Sequence, residues 1–194
     1  MSLDLIKLDL LENLHDDLRK NAKNLVFGKG NKDADIMFIG EAPGAKEDAL
    51  GLPFVGASGK ELDKLLKTIN LSLEDVYIAN ILKYRPPNNR NPNINEIKAH
   101  TPYLVRQIKS IKPRVICTLG NFSTKFILSG FNIKGMKNVD GISNLHGKIK
   151  SIEVEGEEFY VLPIYHPAAM LYNPNIRKFM VEDFVVLKDF LNRL

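Results

Sequence analysis

Short apolar runs alternate with stripes of helical spacing along this chain. The runs at residues 36–39 (IMFI), 76–78 (VYI), 115–119 (VICTL) and 160–164 (YVLPI) are rich in Val and Ile and bounded by polar residues or glycine, which predicts buried strands. The stripes predict helices with one apolar face. Leu11, Leu14 and Leu18 mark an N-terminal helix, and Leu62, Leu65, Leu66 and Ile69 a second. Ile97, Thr101, Leu104, Ile108 and Ile111 mark a third, and Met180, Phe184, Leu187, Leu191 and Leu194 the last. The segment IKSIEVEGEEFYVL reads as strand–turn–strand around Gly156. Strands alternating with helices predict an α/β fold. The expected architecture is a single-domain three-layer α/β/α sandwich over residues 1–194, with a central four-stranded, mostly parallel sheet.

Composition narrows the class. With 194 residues, 44% hydrophobic and 26% charged, the chain is globular and long enough to bury a core. No apolar run approaches a membrane span, and no secretory signal pattern opens the chain, so a cytoplasmic protein with no membrane partner is expected. The formal net charge of +4 suits a polyanionic partner without demanding one. Cys117 is the one cysteine, so neither an intrachain disulfide nor a multi-cysteine metal site can form, and its apolar setting predicts a buried thiol. His15, His100, His146 and His166 are scattered and show no metal-ligand spacing, so no metal site is expected.

The residues that follow each predicted strand carry the chemistry. The first strand runs into the glycine-rich stretch GEAPGAKEDALGLPFVGASG, which holds Glu41, Glu47, Asp48 and Phe54. The second runs into Asn80 and then KYRPPNNRNP, the third into Gly120 and Asn121, and the fourth into Tyr165, His166 and Pro167. Ligands of open α/β sheets bind beyond the carboxyl ends of the strands. Parallel strands would therefore gather Glu41, Asn80, Asn121 and His166 on one rim. An Asn amide matches the edge of a nucleobase, and a His can donate to an oxygen gaining negative charge. Phe54 can stack on a flat ring, and a carboxylate can place water or stabilise a cationic sugar. Each residue has an ordinary role when taken alone: a helix cap, a turn, a satisfied loop histidine, a core aromatic. Their convergence on one rim is what points to a base pocket beside a sugar-bond cleavage centre. Lys83, Arg85 and Arg90 in the proline-rich loop are candidate phosphate contacts, and Met170 and Leu171 in HPAAMLYNP are a candidate apolar wedge between bases.

GEAPGAKEDALGLPFVG, NILKYRPPNNRNP and HPAAMLYNP, in that order, resemble the three signature regions of the family 4 uracil-DNA glycosylases, and the resemblance spans roughly residues 13–191. It implies an enzyme that flips deoxyuridine out of DNA and hydrolyses its N-glycosidic bond, leaving an abasic site. It implies that Phe54 stacks on the base, Asn80 reads its edge, His166 stabilises the leaving oxygen and Glu47 serves the water or the sugar cation. Glu41 would lie against the base among the loop residues Gly40, Ala42, Gly44 and Asp48. A monomer acting on uracil-containing DNA is expected, and contact with a replication clamp is left open.

One departure is large. Members of that family hold an iron–sulfur cluster on four cysteines, and the matching positions here are Asn13, Asp16, Tyr84 and His100. The expectation is therefore an enzyme with no cofactor, in which packing joins the N-terminal helix to the loop around Tyr84. Two other readings stay open: a non-catalytic binder of uracil-containing, abasic or single-stranded DNA, and a metal-dependent nucleotide hydrolase that uses the glycine loop for phosphates.

Overall fold

A computed structural model describes residues 1–193. The four apolar runs form β2 (Ile36–Gly40), β3 (Val76–Asn80), β4 (Val115–Leu119) and the longer β6 (Glu157–Ile164). Two further strands flank them, β1 (Lys29–Gly30) and β5 (Lys150–Val154). The sheet has six strands in the order β1-β3-β2-β4-β6-β5, not the expected four. The four central strands pair in parallel, while β1 and β5 pair antiparallel at the two edges. β1 is two residues long and has no periodicity to betray it. β5 is the outer arm of the expected hairpin, which joins the sheet edge. Glu155 and Gly156 form its two-residue turn with φ of 54° and 80°, the left-handed pair that matches strand twist.

Alternation along the central strands divides the core. Ile36, Phe38, Val76, Ile78, Val115 and Cys117 face one side and meet α4 (Ala57–Thr68) and α9 (Ile176–Leu191). Met37, Ile39, Tyr77, Ala79 and Ile116 face the other and meet α1 (Leu3–Asn13), α5 (Ile94–Ile111) and α6 (Asn121–Leu128). Three layers result, with both faces of the sheet covered, as buried parallel strands require. Phe38 and Phe184 stack across the first interface at 5.9 Å between ring centroids. Cys117 is fully buried there, and burial pushes its thiol far above the ordinary range, so it is inert.

The helical stripes hold with one correction. The second and third lie on α4 and α5, and α5 opens on a capping box in which Asn93 and Glu96 satisfy each other's amides at 2.9 Å. Met180, Phe184 and Leu187 are fully buried on α9; Leu194 lies outside the described residues. The N-terminal helix, however, is two helices. α1 stops at Asn13, and Asp16 caps α2 (Asp17–Asn21) by accepting from the Arg19 amide at 2.9 Å. The inner face of α1 is Leu3, Ile6 and Leu10, which leaves Leu11 outside; Leu14 and Leu18 are buried across the break.

The remaining helices are short: α3 (Ala45–Leu50), α7 (Ile142–Leu145) and α8 (Ala169–Tyr172). α3 follows β2 directly and α8 follows β6, so both stand at the carboxyl end of the sheet. No helix among the described residues is long and apolar enough to cross a membrane.

Candidate active site

Beyond the carboxyl ends of β2, β3 and β6 lies a cavity of about 350 Å³. Its walls include Glu41, Ala42, Gly44, Glu47, Phe54, Asn80, Arg90 and His166, eight of the residues singled out in the sequence. Pro43, Ser58, Pro86, Asn89 and Ala168 also line it; all lie within the stretches quoted above, where residue type gave them no role of their own.

The floor depends on a missing side chain. Gly40 and Asn80 are register partners at the ends of β2 and β3. A Cβ on Gly40 would stand 2.4 Å from Asn80 Oδ1 and 2.8 Å from the Phe54 ring, closer than atoms can pack. Glycine therefore lets the amide and the ring share one floor. Asn80 is 2% exposed, and its Oδ1 is buried with no hydrogen-bond partner among the described residues. An orphaned acceptor of this kind is costly unless a ligand supplies the donor.

Phe54 is held in an unfavourable backbone conformation, with φ at 51°. Two contacts fix it. The Lys29 ammonium donates to the Phe54 carbonyl at 3.1 Å, and a Cβ on Gly59 would lie 1.9 Å from that same oxygen, so α4 can pass over it only with glycine there. Burial lowers the Lys29 pKa, and the charges of Asp63 and Glu47 push it back up. Glu47 closes this corner: its Oε1 accepts from the Val55 and Gly56 amides at 2.9 and 2.8 Å, so α3 is tied to the start of α4.

His166 faces Phe54 across the cavity, with 5.8 Å between the rings. Its Nδ1 accepts the Ala168 amide at 3.2 Å, which places the proton of the neutral ring on Nε2. Burial lowers its pKa to about 4, with the Glu47 charge opposing, so the ring is neutral at physiological pH. Burial also raises the pKa of Glu41.

The profile of the Uracil DNA glycosylase superfamily matches residues 27–188. The chain belongs to the uracil-DNA glycosylase superfamily. It is 48% identical to a type-4 uracil-DNA glycosylase of Saccharolobus solfataricus, over 98% of this chain and 87% of that protein. Enzymes of the same name from Archaeoglobus fulgidus and Sulfurisphaera tokodaii are each 46% identical, over 94% and 97% of this chain and 90% and 84% of their own lengths.

Several glycosylase-motif residues fall elsewhere than expected. Lys83 is fully buried, so it cannot touch a phosphate; its ammonium donates to Asn80 O at 2.8 Å and Gln107 Oε1 at 2.6 Å. Met170 is buried in the core beside α9, while its neighbour Leu171 is half exposed and Tyr172 is 88% exposed, so the apolar tip is Leu171 and Tyr172. Asp48 points away from the cavity and accepts the Lys23 and Asn24 amides at 2.8 and 3.3 Å. Asn121 heads α6 and accepts the Ile142 amide at 2.9 Å. Arg85 lies on the loop surface, where its Nε donates to Asn89 at 2.8 Å, and Arg90 makes a two-pronged bond to Glu96 at 2.5 and 2.9 Å.

The four positions expected to match cluster cysteines hold residues that do not fit a cluster. Asn13 is on the surface, bonded to Asp9 at 2.5 Å. Asp16 Oδ2 and His100 Nε2 face each other at 2.7 Å, and the Tyr84 ring stands edge-on to His100 at 6.1 Å between centroids. These groups satisfy one another and include no thiolate, the ligand an iron–sulfur cluster needs. Burial opposes ionisation of Asp16, but the bonds from His100 and the Arg19 amide outweigh it and hold the carboxyl below its ordinary 3.8.

Asp16→Ala removes both the α2 cap and the His100 partner, and we expect a loss of about 1–3 kcal/mol in denaturant melts at neutral pH. The Asp16 carboxylate contributes fully above its unfolded value of 3.8. The difference from wild type should therefore shrink as pH falls through the lower folded value. Gly40→Ala should cut single-turnover cleavage of uracil-containing DNA by about 100-fold, because a small misplacement of Asn80 and Phe54 suffices. The overpacking should also cost about 1–3 kcal/mol of stability, so cleavage is measured well below the melting temperature of the variant.

Proposed function

We propose that this chain is a monofunctional uracil-DNA glycosylase that works without metal or cluster, hydrolysing the N-glycosidic bond of a flipped deoxyuridine and leaving an abasic site. The observation that carries this reading is the orphaned Asn80 Oδ1 on the cavity floor beside Phe54. Uracil presents N3–H and O4 on one edge, and an Asn side chain complements that pair by accepting from the first and donating to the second. Cytosine presents an unprotonated N3 at the same place, so two acceptors would face each other. Phe54, which lines the cavity beside Asn80, would stack on the ring of the flipped base.

Cleavage leaves the electron pair of the C1′–N1 bond on uracil, as an anion spread over N1, C2 and O2, and an oxocarbenium-like sugar behind. His166 is neutral with its Nε2 proton free to donate, so it stabilises the oxygen that gains charge without having to lose a proton first. Glu47 Oε1 is spent on the Val55 and Gly56 amides, which fixes the carboxylate and leaves Oε2 for the sugar cation and the attacking water. Water then adds to C1′, and its proton passes to the carboxylate. Glu41 forms the wall against the base. On the DNA side, Arg85 and Arg90 would meet phosphates from the loop surface, giving up or sharing their bonds to Asn89 and Glu96, and Leu171 would fill the gap left by the flipped nucleotide.

The test is an oligonucleotide with one deoxyuridine, incubated with the protein in EDTA and then treated with alkali. Strand scission at uracil but not thymine is the expected outcome. Glu47→Gln should lower the single-turnover rate by about 10²–10⁴-fold while DNA binding persists. Wild-type binding with no cleavage would instead favour a non-catalytic binder, and activity abolished by EDTA a metal-dependent hydrolase. The rate should also fall as pH drops through about 4, where a second proton on His166 Nδ1 would oppose the Ala168 amide it now accepts and turn the ring out of place.

A further inference from the structure

Lys83 is the oddest buried group in the molecule. It is fully buried, and no carboxylate among the described residues pairs with it. Its Nζ is satisfied by the Asn80 carbonyl at 2.8 Å and Gln107 Oε1 at 2.6 Å, and lies 6.0 Å from the Phe27 ring centroid. The partners are themselves held: Gln107 Nε2 donates to Phe27 O at 3.0 Å, and the Lys83 amide donates to His100 Nδ1 at 2.8 Å. An uncompensated buried cation is expensive, and an apolar residue would fill the same space more cheaply.

We propose that Lys83 is a positioning residue for base excision: its ammonium grips the Asn80 peptide from beneath the cavity, fixing the amide that reads the base and adding positive charge under the site where the leaving uracil becomes anionic. This rests on the glycosylase reading above. An ammonium bond to a carbonyl is roughly twice as strong as that of a neutral amine, so both effects need the protonated form. Burial lowers the Lys83 pKa to about 7, and the ammonium is therefore lost as pH rises through neutrality. The groups around it do not oppose this assignment. Gln107 and Phe27 do not ionise, Tyr77 is pushed up to about 12 and stays protonated, and Asp16 is already charged. His100 meets the Lys83 backbone amide, not its ammonium.

The experiment compares wild type with Lys83→Met, a variant of similar volume without charge or donors, in single-turnover cleavage of deoxyuridine DNA from pH 6 to 9. Binding is followed with DNA that carries 2′-fluoro-deoxyuridine, which resists cleavage. At pH 6 the variant should cleave about tenfold or more slowly than wild type. Its affinity for the uncleavable DNA should stay within about threefold, since the interaction matters in the transition state. The wild-type rate should decline above pH 7 while that of the variant stays flat, so the ratio between them closes. Equal rates at pH 6, or a ratio constant with pH as for a structural residue, would overturn the proposal. If Lys83→Met does not fold, the wild-type profile decides alone: no decline between pH 7 and 9 overturns it. Wild-type protein that cleaves nothing at any pH would overturn the glycosylase reading instead.

Discussion

The site depends on one absence, the side chain that Gly40 does not have. Gly40 and Asn80 end two neighbouring parallel strands in register, and in any other residue pair a Cβ would occupy the space between them. Without it, the Asn80 amide and the Phe54 ring come together over the strand ends and make a flat floor with a polar edge. The rest of the cavity is arranged to hold that floor. Phe54 stays in its left-handed conformation because Lys29 and the close approach of Gly59 secure its carbonyl, and Glu47 ties down the two amides that follow it. The glycine-rich loop thus owes its composition to contacts within the protein as much as to any approach of substrate.

Much of this was legible in the sequence because buried parallel strands announce themselves. Residues 36–39 and 115–119 are continuous apolar runs, and once they are parallel the topology sends Glu41, Asn80 and His166 to the same rim. The α/β class, the three layers and the hairpin at Gly156 follow from the same signals. What was not legible has physical reasons. β1 is too short to have a period. The N-terminal stripe runs through a helix break because Asp16 has the type of any polar surface residue, and only its side-chain bond to the Arg19 amide marks it as the cap of α2. Met170 and Leu171 are both apolar, but neighbours on a helical turn point in different directions, so only one is exposed. Asp48 and Glu47 diverge in the same way, one toward the chain at residues 23–24 and the other toward the cavity.

Lys83 is the most instructive miss. A lysine beside Arg85 and two prolines reads as part of a basic surface loop. Yet it belongs to the stretch Ile81, Leu82, Lys83, Tyr84, all buried, in which the backbone has left the sheet but not the core. Ile81 and Leu82 still donate to the carbonyls of Gly40 and Glu41 at 3.0 Å, so the chain remains stitched to β2 for two residues beyond Asn80. Residue type alone put Lys83 outside; the apolar residues on both sides of it were the better guide.

That stitched stretch also connects parts of the molecule that are far apart in sequence. Asp16 at the start of α2 holds His100 on α5, His100 accepts the Lys83 amide, and the Lys83 ammonium holds the Asn80 carbonyl and Gln107, one helical face further along α5. Every link is a hydrogen bond between groups that are buried or nearly so, where low dielectric makes a satisfied bond strong and a missing partner costly. The N-terminal helices, the long helix behind the sheet and the strand end at Asn80 therefore form one polar seam. Where relatives are expected to bind this corner with metal and sulfur, this chain has a carboxylate–imidazole hydrogen bond, an aromatic edge and a buried lysine. The bonds of this seam respond to protonation at its two ends: the Asp16 carboxyl, which the bonds from His100 and the Arg19 amide hold below its ordinary value, and the Lys83 ammonium, whose pKa burial lowers to about 7.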